Sequence, residues 1–344
     1  MSLQKALFLL TIGLFVISCG PDLDQIKSQL SFKINATNNV ISNDETLILS
    51  LANNQNHPVD SVQFMFNEQR IKREFNLSNQ MLGKHKLQAL VFVGGELITI
   101  DQELTILNSA APTVYTFTIV NEYPHDINAY TQGLEFYNGE LYESTGQYGK
   151  SQLRKIDHKT GAVLQSYELE NSYFGEGLTV LNENIYQLTW QESTGFVYDV
   201  NSFERKSSFK YGNSKEGWGI CNDGKVLYKS DGTEKIWILD PETLSEQSHI
   251  EAYHYKGKTV GLNELEWING KIYANRYQLN GVAIIDPNNG AIEGVIDFSP
   301  LKDMVTQHKD LDVLNGIAFN SESNTIFVTG KYWDKLFEVQ ISEK

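Results

Sequence analysis

The sequence predicts an all-β chain: a five-bladed β-propeller preceded by a small immunoglobulin-like β-sandwich. Three observations predict it. Five short segments share one pattern, at Gln132-Gly-Leu-Glu-Phe136, Glu176-Gly-Leu-Thr-Val180, Trp218-Gly-Ile-Cys-Asn222, Asn263-Glu-Leu-Glu-Trp267 and Asn315-Gly-Ile-Ala-Phe319. Their first residues lie 44, 42, 45 and 52 positions apart, which is the period of a four-stranded propeller blade. Ahead of them, period-2 apolar runs separated by polar turns read as the strands of a sandwich.

In chain order, residues 1–18 carry Lys5 and then an apolar stretch from Ala6 to Ile17. That stretch is too short to span a bilayer and suits the core of a signal peptide. It ends Val16-Ile17-Ser18-Cys19-Gly20, which resembles a bacterial lipobox, so Cys19 is expected to become the lipid anchor. The chain has 2 cysteines; Cys221 falls in a strand-like run and reads as a small buried residue, so no disulfide framework is expected. Residues 19–29 are expected to be a tether.

From 30 to 107 the strand-like runs are Leu30-Ser-Phe-Lys-Ile34, Thr46-Leu-Ile-Leu-Ser-Leu51, Ser61-Val-Gln-Phe-Met-Phe66, Lys86 to Val93 and Glu103 to Leu107. These form the expected sandwich, and no chemistry is legible in it. Asn108-Ser-Ala-Ala-Pro-Thr113 reads as a linker. The repeat occupies 114–344. After each head comes a turn, such as Asn138-Gly139, Glu183-Asn184 or Asn269-Gly270, that suits tight hairpins. A second strand follows, then a third that ends in an aspartate in four units, at Asp157, Asp199, Asp240 and Asp286. Those aspartates read as turn residues that accept hydrogen bonds from backbone groups two positions on. The fifth unit ends with its third strand, so Val114–Val120 is expected to pair with the strand around Lys335–Gln340 and close the ring.

The formal charge of −15 argues against nucleic acid, whose phosphates such a surface repels. In a propeller the first strands line the channel, so Gln132, Glu176, Trp218, Asn263 and Asn315 converge on one mouth. A carboxylate, an amide, an indole and two asparagines aimed at one point suggest a binding or catalytic site rather than a structural ring. Metal chemistry finds no support: His249 and His254 lack a carboxylate or cysteine partner at ligand spacing.

Eight stretches in order, Tyr130-Thr-Gln-Gly-Leu134, Tyr142-Glu-Ser-Thr-Gly146, Ser172-Tyr-Phe-Gly-Glu-Gly-Leu178, Gly217-Trp-Gly219, Lys229-Ser-Asp-Gly232, Leu262-Asn-Glu-Leu-Glu266, Asp312-Val-Leu-Asn-Gly316 and Val328-Thr-Gly-Lys331, closely resemble glutaminyl-peptide cyclotransferases of the plant and bacterial type. The resemblance covers about Val120 to Ile341. It implies a five-bladed propeller and a reaction in which the α-amine of an amino-terminal glutamine attacks its own side-chain amide, releasing ammonia and leaving pyroglutamate. It implies no cofactor and no metal.

Residue by residue, the resemblance makes Glu176 the general acid/base and Lys331 a second catalytic group whose charge helps the oxyanion. Gln132 and Asn263 are implied as substrate hydrogen-bonding groups, and Trp190 and Trp218 as pocket walls. Tyr277 stands where the family has a further tryptophan, keeping the aromatic face but exchanging the indole N–H for a hydroxyl. Tyr130 replaces a common phenylalanine, and Gly261 replaces a bulkier residue at the rim. Asn315 matches the family but receives no role. The expected partners are peptides and proteins with amino-terminal glutamine, and a membrane through Cys19; a monomer in the bacterial envelope is expected. The alternative reading is a non-catalytic propeller lipoprotein that binds peptides or envelope partners.

Overall fold

The computed structural model describes residues 22–344. The signal-peptide stretch and Cys19 lie outside the described residues. The first described element is a helix, Leu23–Gln29, in the segment expected as a tether. Asp22 caps it, with Oδ1 accepting from the backbone N–H groups of Asp24 and Gln25, each at 3.2 Å, which satisfies donors that have no partner inside the helix. Apart from this helix and the short Ser299–Lys302, the elements among the described residues are strands.

By contact density the chain divides into two units. One comprises residues up to Ile34, Ile48–Arg73 and Lys86–Gln102; the other comprises Asn35–Leu47, Glu74–His85 and Glu103–Lys344. The division cuts through the region 30–107 instead of falling at the linker read from sequence. In the first unit, Leu30–Ile34 pairs antiparallel with residues 49–53, Leu30 opposite Asn53 and Ile34 opposite Leu49. Ser61–Phe66 lies between Gln69–Ile71 and residues 87–92 of the long strand Gly83–Val93, whose first three residues belong to the second unit. Along that long strand alternate residues are buried, among them Leu87, Ala89, Val91 and Val93, as the two-residue period of a half-covered sheet requires. Phe32 and Phe64, from different sheets, stack at 5.5 Å between ring centres.

The second unit holds a propeller-like succession of antiparallel meanders. Three are separate four-stranded sheets, running from Thr131–Tyr137 to Ala162–Glu168, from Gly175–Leu181 to Arg205–Lys210 and from Ile220–Asn222 to Glu246–Glu251. The rest form one eight-stranded sheet. Half of it is the meander from Leu262–Ile268 to Ile292–Asp297, and the other half is Thr113–Pro124, Lys335–Glu343, Thr325–Gly330 and Leu314–Asn320. The halves join through a three-residue parallel pairing, Gly294 to Ile296 against Thr113 to Tyr115. As expected, Thr113–Pro124 pairs antiparallel with the last strand, from Lys335 opposite Pro124 to Glu343 opposite Tyr115.

The turns follow their residues. Asn138 and Gly139 take positive φ of 51° and 78°, and Asn269 and Gly270 take 49° and 85°, as a twisted hairpin demands. The turn read at Glu183-Asn184 lies one residue earlier, on Asn182 and Glu183, with φ of 51° and 60°. Asn184 instead opens the next strand. The four third-strand aspartates are turn residues: Asp157, Asp199, Asp240 and Asp286 each accept the backbone N–H two positions on.

The head strands are well enclosed; all seven residues of Gly175–Leu181 are buried. Successive heads touch backbone to backbone at their second residue. A Cβ on Gly177 would lie 2.7 Å from Gly219 Cα, and one on Gly219 would lie 2.0 Å from the Asn263 carbonyl oxygen. Only glycine fits there. The fourth unit carries Glu264 at this position. Its carboxylate reaches across the channel to accept from Leu134 N at 3.3 Å and Ile317 N at 3.0 Å.

Candidate active site

Four of the five head residues meet at one end of the channel. Gln132, Glu176, Trp218 and Asn263 line a cavity of about 190 Å³, with Trp190, Tyr277 and Lys331 closing it. All seven site residues expected from the sequence therefore border one space. Tyr130, Phe174 and Gln147 complete its lining. Tyr130 and Phe174 fall inside motifs singled out in the sequence, yet no role was attached to them; Gln147 sits in a turn with no periodic signal.

Glu176 is 4% exposed. Burial pushes its carboxyl well above the ordinary range; the positive charge of Lys331 opposes this, Glu216 and Glu192 add to it, and the hydrogen bond from Gln132 opposes it. Desolvation wins because one buried cation does not compensate a carboxylate stripped of water and facing two like charges. The bond from Gln132 Nε2 to Glu176 Oε1 is 2.8 Å long. Gln132 is itself oriented from behind: Asn315 Nδ2 donates to Gln132 Oε1 at 3.1 Å and to the Thr131 carbonyl at 2.9 Å. The fifth head residue thus lies behind the cavity wall and fixes which way the Gln132 amide points.

Lys331 is 2% exposed. Burial lowers its pKa, while Glu176 and Asp312 pull it back up. Its Nζ lies 4.5 Å from the Tyr130 ring centre and 5.3 Å from that of Tyr277, positions in which aromatic faces attract a cation. Tyr130 leans on Asp312, its hydroxyl donating to Oδ2 at 3.3 Å. The lysine is therefore held by two rings and the nearby carboxylates rather than exposed at the surface.

Asn263 is buried, and its side-chain Oδ1 has no hydrogen-bond partner among the described residues. A buried carbonyl oxygen without a donor is costly unless a ligand supplies one. Around it the aromatic wall falls into two ring groups. Phe174 meets Trp190 at 5.6 Å and Tyr130 at 6.0 Å, and Trp218 meets Tyr277 edge-on at 5.4 Å. Tyr277 is 39% exposed, so it forms the outer rim where the resemblance places a tryptophan.

Local sequence explains these placements. Gly175 and Gly177 flank Glu176, and their missing side chains let Thr145 and Gly219 approach the head strand. Trp190 follows directly on the strand Asn184–Thr189, and its backbone N–H donates to the Phe174 carbonyl at 3.0 Å. Trp218 precedes Ile220–Asn222, and its carbonyl accepts from Gly177 N at 2.7 Å. Together these groups offer a buried carboxyl with a raised pKa, a buried cation, an unpaired acceptor and an apolar wall, a set suited to proton-coupled acyl transfer.

The chain matches the family described as Glutamine cyclotransferase over residues 90–341. A glutaminyl-peptide cyclotransferase of Arabidopsis thaliana is 44% identical over 230 residues, which is 65% of this chain and 71% of that protein. The crystal structure of the glutaminyl cyclase of Myxococcus xanthus superposes with a TM-score of 0.63 at 36% identity, covering 68% of this chain and 99% of that one.

Proposed function

The chain belongs to the glutamine cyclotransferase family, and from that premise we propose how this glutaminyl-peptide cyclotransferase converts amino-terminal glutamine to pyroglutamate. The observation that carries the mechanism is Glu176, a buried carboxyl with a raised pKa that borders the same cavity as the unpaired Asn263 oxygen.

Asn263 Oδ1 accepts an N–H of the substrate α-amine and aims its lone pair at the side-chain amide carbon. As the N–C bond forms, the carbonyl oxygen becomes an oxyanion, which the charge on Lys331 stabilises. Protonated Glu176 gives its proton to the amide nitrogen, and that C–N bond breaks to release ammonia. The resulting carboxylate takes a proton from the ring nitrogen. Glu176 ends as it began, and the products are a lactam and ammonia. Gln132 keeps the carboxyl in register, and the Trp190, Trp218 and Tyr277 rings exclude water.

The experiment is ammonia release from a Gln-initiated dipeptide with and without chelator. Glu176→Gln should lower turnover by about 10²–10⁴ with the fold intact, and chelator should leave the rate unchanged. Unchanged turnover in that variant would remove Glu176 from the mechanism.

Several further readings belong with this one. Five repeats and the pairing of Thr113–Pro124 with Lys335–Glu343 support a five-bladed propeller closed by its first strand. Facing sheets and alternating burial in 30–107 support an immunoglobulin-like sandwich. The sequence Val16-Ile17-Ser18-Cys19 supports a signal peptide, a lipid on Cys19 and residence in a bacterial envelope.

A further inference from the structure

The two tryptophans of the cavity wall are tied to a single carboxylate oxygen. Trp190 Nε1 donates to Glu216 Oε2 at 2.9 Å, and Trp218 Nε1 donates to the same oxygen at 2.8 Å. The two indoles come from segments that flank strands of different sheets, Trp190 after Asn184–Thr189 and Trp218 before Ile220–Asn222, and Glu216 lies between them in the chain. Its other oxygen, Oε1, takes the Gln191 side-chain amide at 3.5 Å, and Gly217 N donates to the Trp190 carbonyl at 3.1 Å.

This carboxylate is itself fixed from behind. Lys229, 0% exposed, donates from Nζ to the Glu216 carbonyl at 2.8 Å and to Ser214 Oγ at 2.5 Å. The same Nζ lies 4.2 Å from the Tyr211 ring centre and 3.7 Å from Glu246 Oε1. Trp218 also rests on the backbone of Gly232, where a Cβ would come within 2.6 Å of the indole. The indole thus has its N–H edge and one face committed to the protein.

An indole N–H only donates, and a carboxylate oxygen has room for two donors. With both N–H groups held by Glu216, which does not itself line the cavity, the tryptophans present apolar ring surface to whatever enters. We propose that Glu216 is a positioning residue of this site: through one oxygen it sets the orientation of Trp190 and Trp218, so that the glutamine side chain meets ring surface and no indole donor. The proposal rests on the cyclotransferase reading of the cavity. A second consequence concerns charge. After burial, and against the pull of Lys331, Glu216 is the first of two neighbouring carboxylates that hold the Glu176 pKa up.

Two substitutions separate the effects. In Glu216→Gln the amide oxygen can still accept both indoles, but the charge is gone; Glu216→Ala removes both. We expect Glu216→Ala to raise KM for a Gln-initiated peptide on the order of tenfold, the scale of a lost charge-assisted hydrogen bond, and to increase acrylamide quenching of tryptophan fluorescence. Glu216→Gln should raise KM less and should move the high-pH limb of kcat/KM to lower pH. In a Trp218→Phe background the KM effect of Glu216→Ala should shrink, because one of the two bonds is already absent. Native KM and native quenching in Glu216→Ala, or an equal effect in both backgrounds, would overturn the proposal. Should the wild-type chain fail to cyclise glutamine, the cyclotransferase reading falls, while the quenching comparison still tests whether Glu216 holds the indoles.

Discussion

The side-chain nitrogen of Gln132 donates to Glu176 Oε1 across 2.8 Å, joining head residues 44 positions apart in the chain. The bond sets the amide's polarity, because Asn315 has already claimed the Gln132 oxygen. A relay of three head residues, from Asn315 through Gln132 to Glu176, therefore holds the Glu176 carboxyl.

Breaking the relay at its far end should be felt at the site. Asn315→Ala leaves the Gln132 oxygen and the Thr131 carbonyl without their donor. We expect a loss of about 1–3 kcal/mol in stability, the cost of stranding buried acceptors. Turnover should fall while KM changes less, since Asn315 does not border the cavity. Urea unfolding and steady-state kinetics on the same preparation check both halves.

The pH profile should report Glu176 and its neighbours. The proposed mechanism needs a neutral α-amine, whose pKa in peptides is near 7.7–8.0, and a protonated Glu176. Rate should rise as the amine loses its proton and fall as Glu176 ionises. Lys331 favours the ionised carboxylate, so Lys331→Met should move the high-pH limb upward even as it slows the reaction. A limb that moves down would mean Glu176 is not the group titrating there.

Stability should decline with pH over the range in which the channel carboxyls ionise. Burial raises the pKa of Glu135, to about 7, with hydrogen bonds from Thr179 and Val180 opposing it. Burial likewise raises Glu264 and Glu266, and Glu135 adds its like charge to both. A carboxyl raised in the folded state stabilises fully below its unfolded pKa and loses that contribution as pH climbs through the folded value. Unfolding free energy should therefore fall from roughly pH 4.5 toward pH 7 and beyond. Glu135→Gln should flatten the dependence, as read from urea midpoints at several pH values.

The head glycines should tolerate no side chain. Gly219→Ala would press its methyl against the Asn263 carbonyl, and something must shift because a Cβ there lies 2.0 Å from that oxygen. The expected result is loss of several kcal/mol, about the cost of severe overpacking or more, and recovery largely in the insoluble fraction. Gly224→Ala is the control: its Cβ would have open space around it, though the positive φ of 86° imposes mild strain.

How much of this the sequence carried depended on whether a residue's role repeats. The repeat heads, the hairpin asparagines and the third-strand aspartates recur at a fixed period, so the meanders and the closing strand were legible. The seven site residues were legible through their motifs, and all seven border the cavity. Glu216 and Lys229 were not given roles. Glu216 works from a non-periodic segment, and Lys229 acts from the hidden side of a strand, where a lysine in sequence reads as a surface residue. Asn315 recurs in position but not in function: its partner is Gln132, and only the folded geometry puts the two in contact. The helix Leu23–Gln29 was missed because it is seven residues long, too few to establish an amphipathic period.

The pairing of Thr113–Pro124 with Lys335–Glu343 also imposes a timetable. The Lys335 ammonium meets the Glu122 carboxylate 213 residues upstream. At 5–20 residues per second a ribosome needs roughly 10–40 s to cover that distance. Throughout that interval the first strand of the repeat has its main partner still unmade, leaving backbone donors and acceptors unpaired. The last sheet therefore cannot be completed before Lys335–Glu343 has been made, and a chain stalled before Lys335 retains a strand free to pair with another molecule.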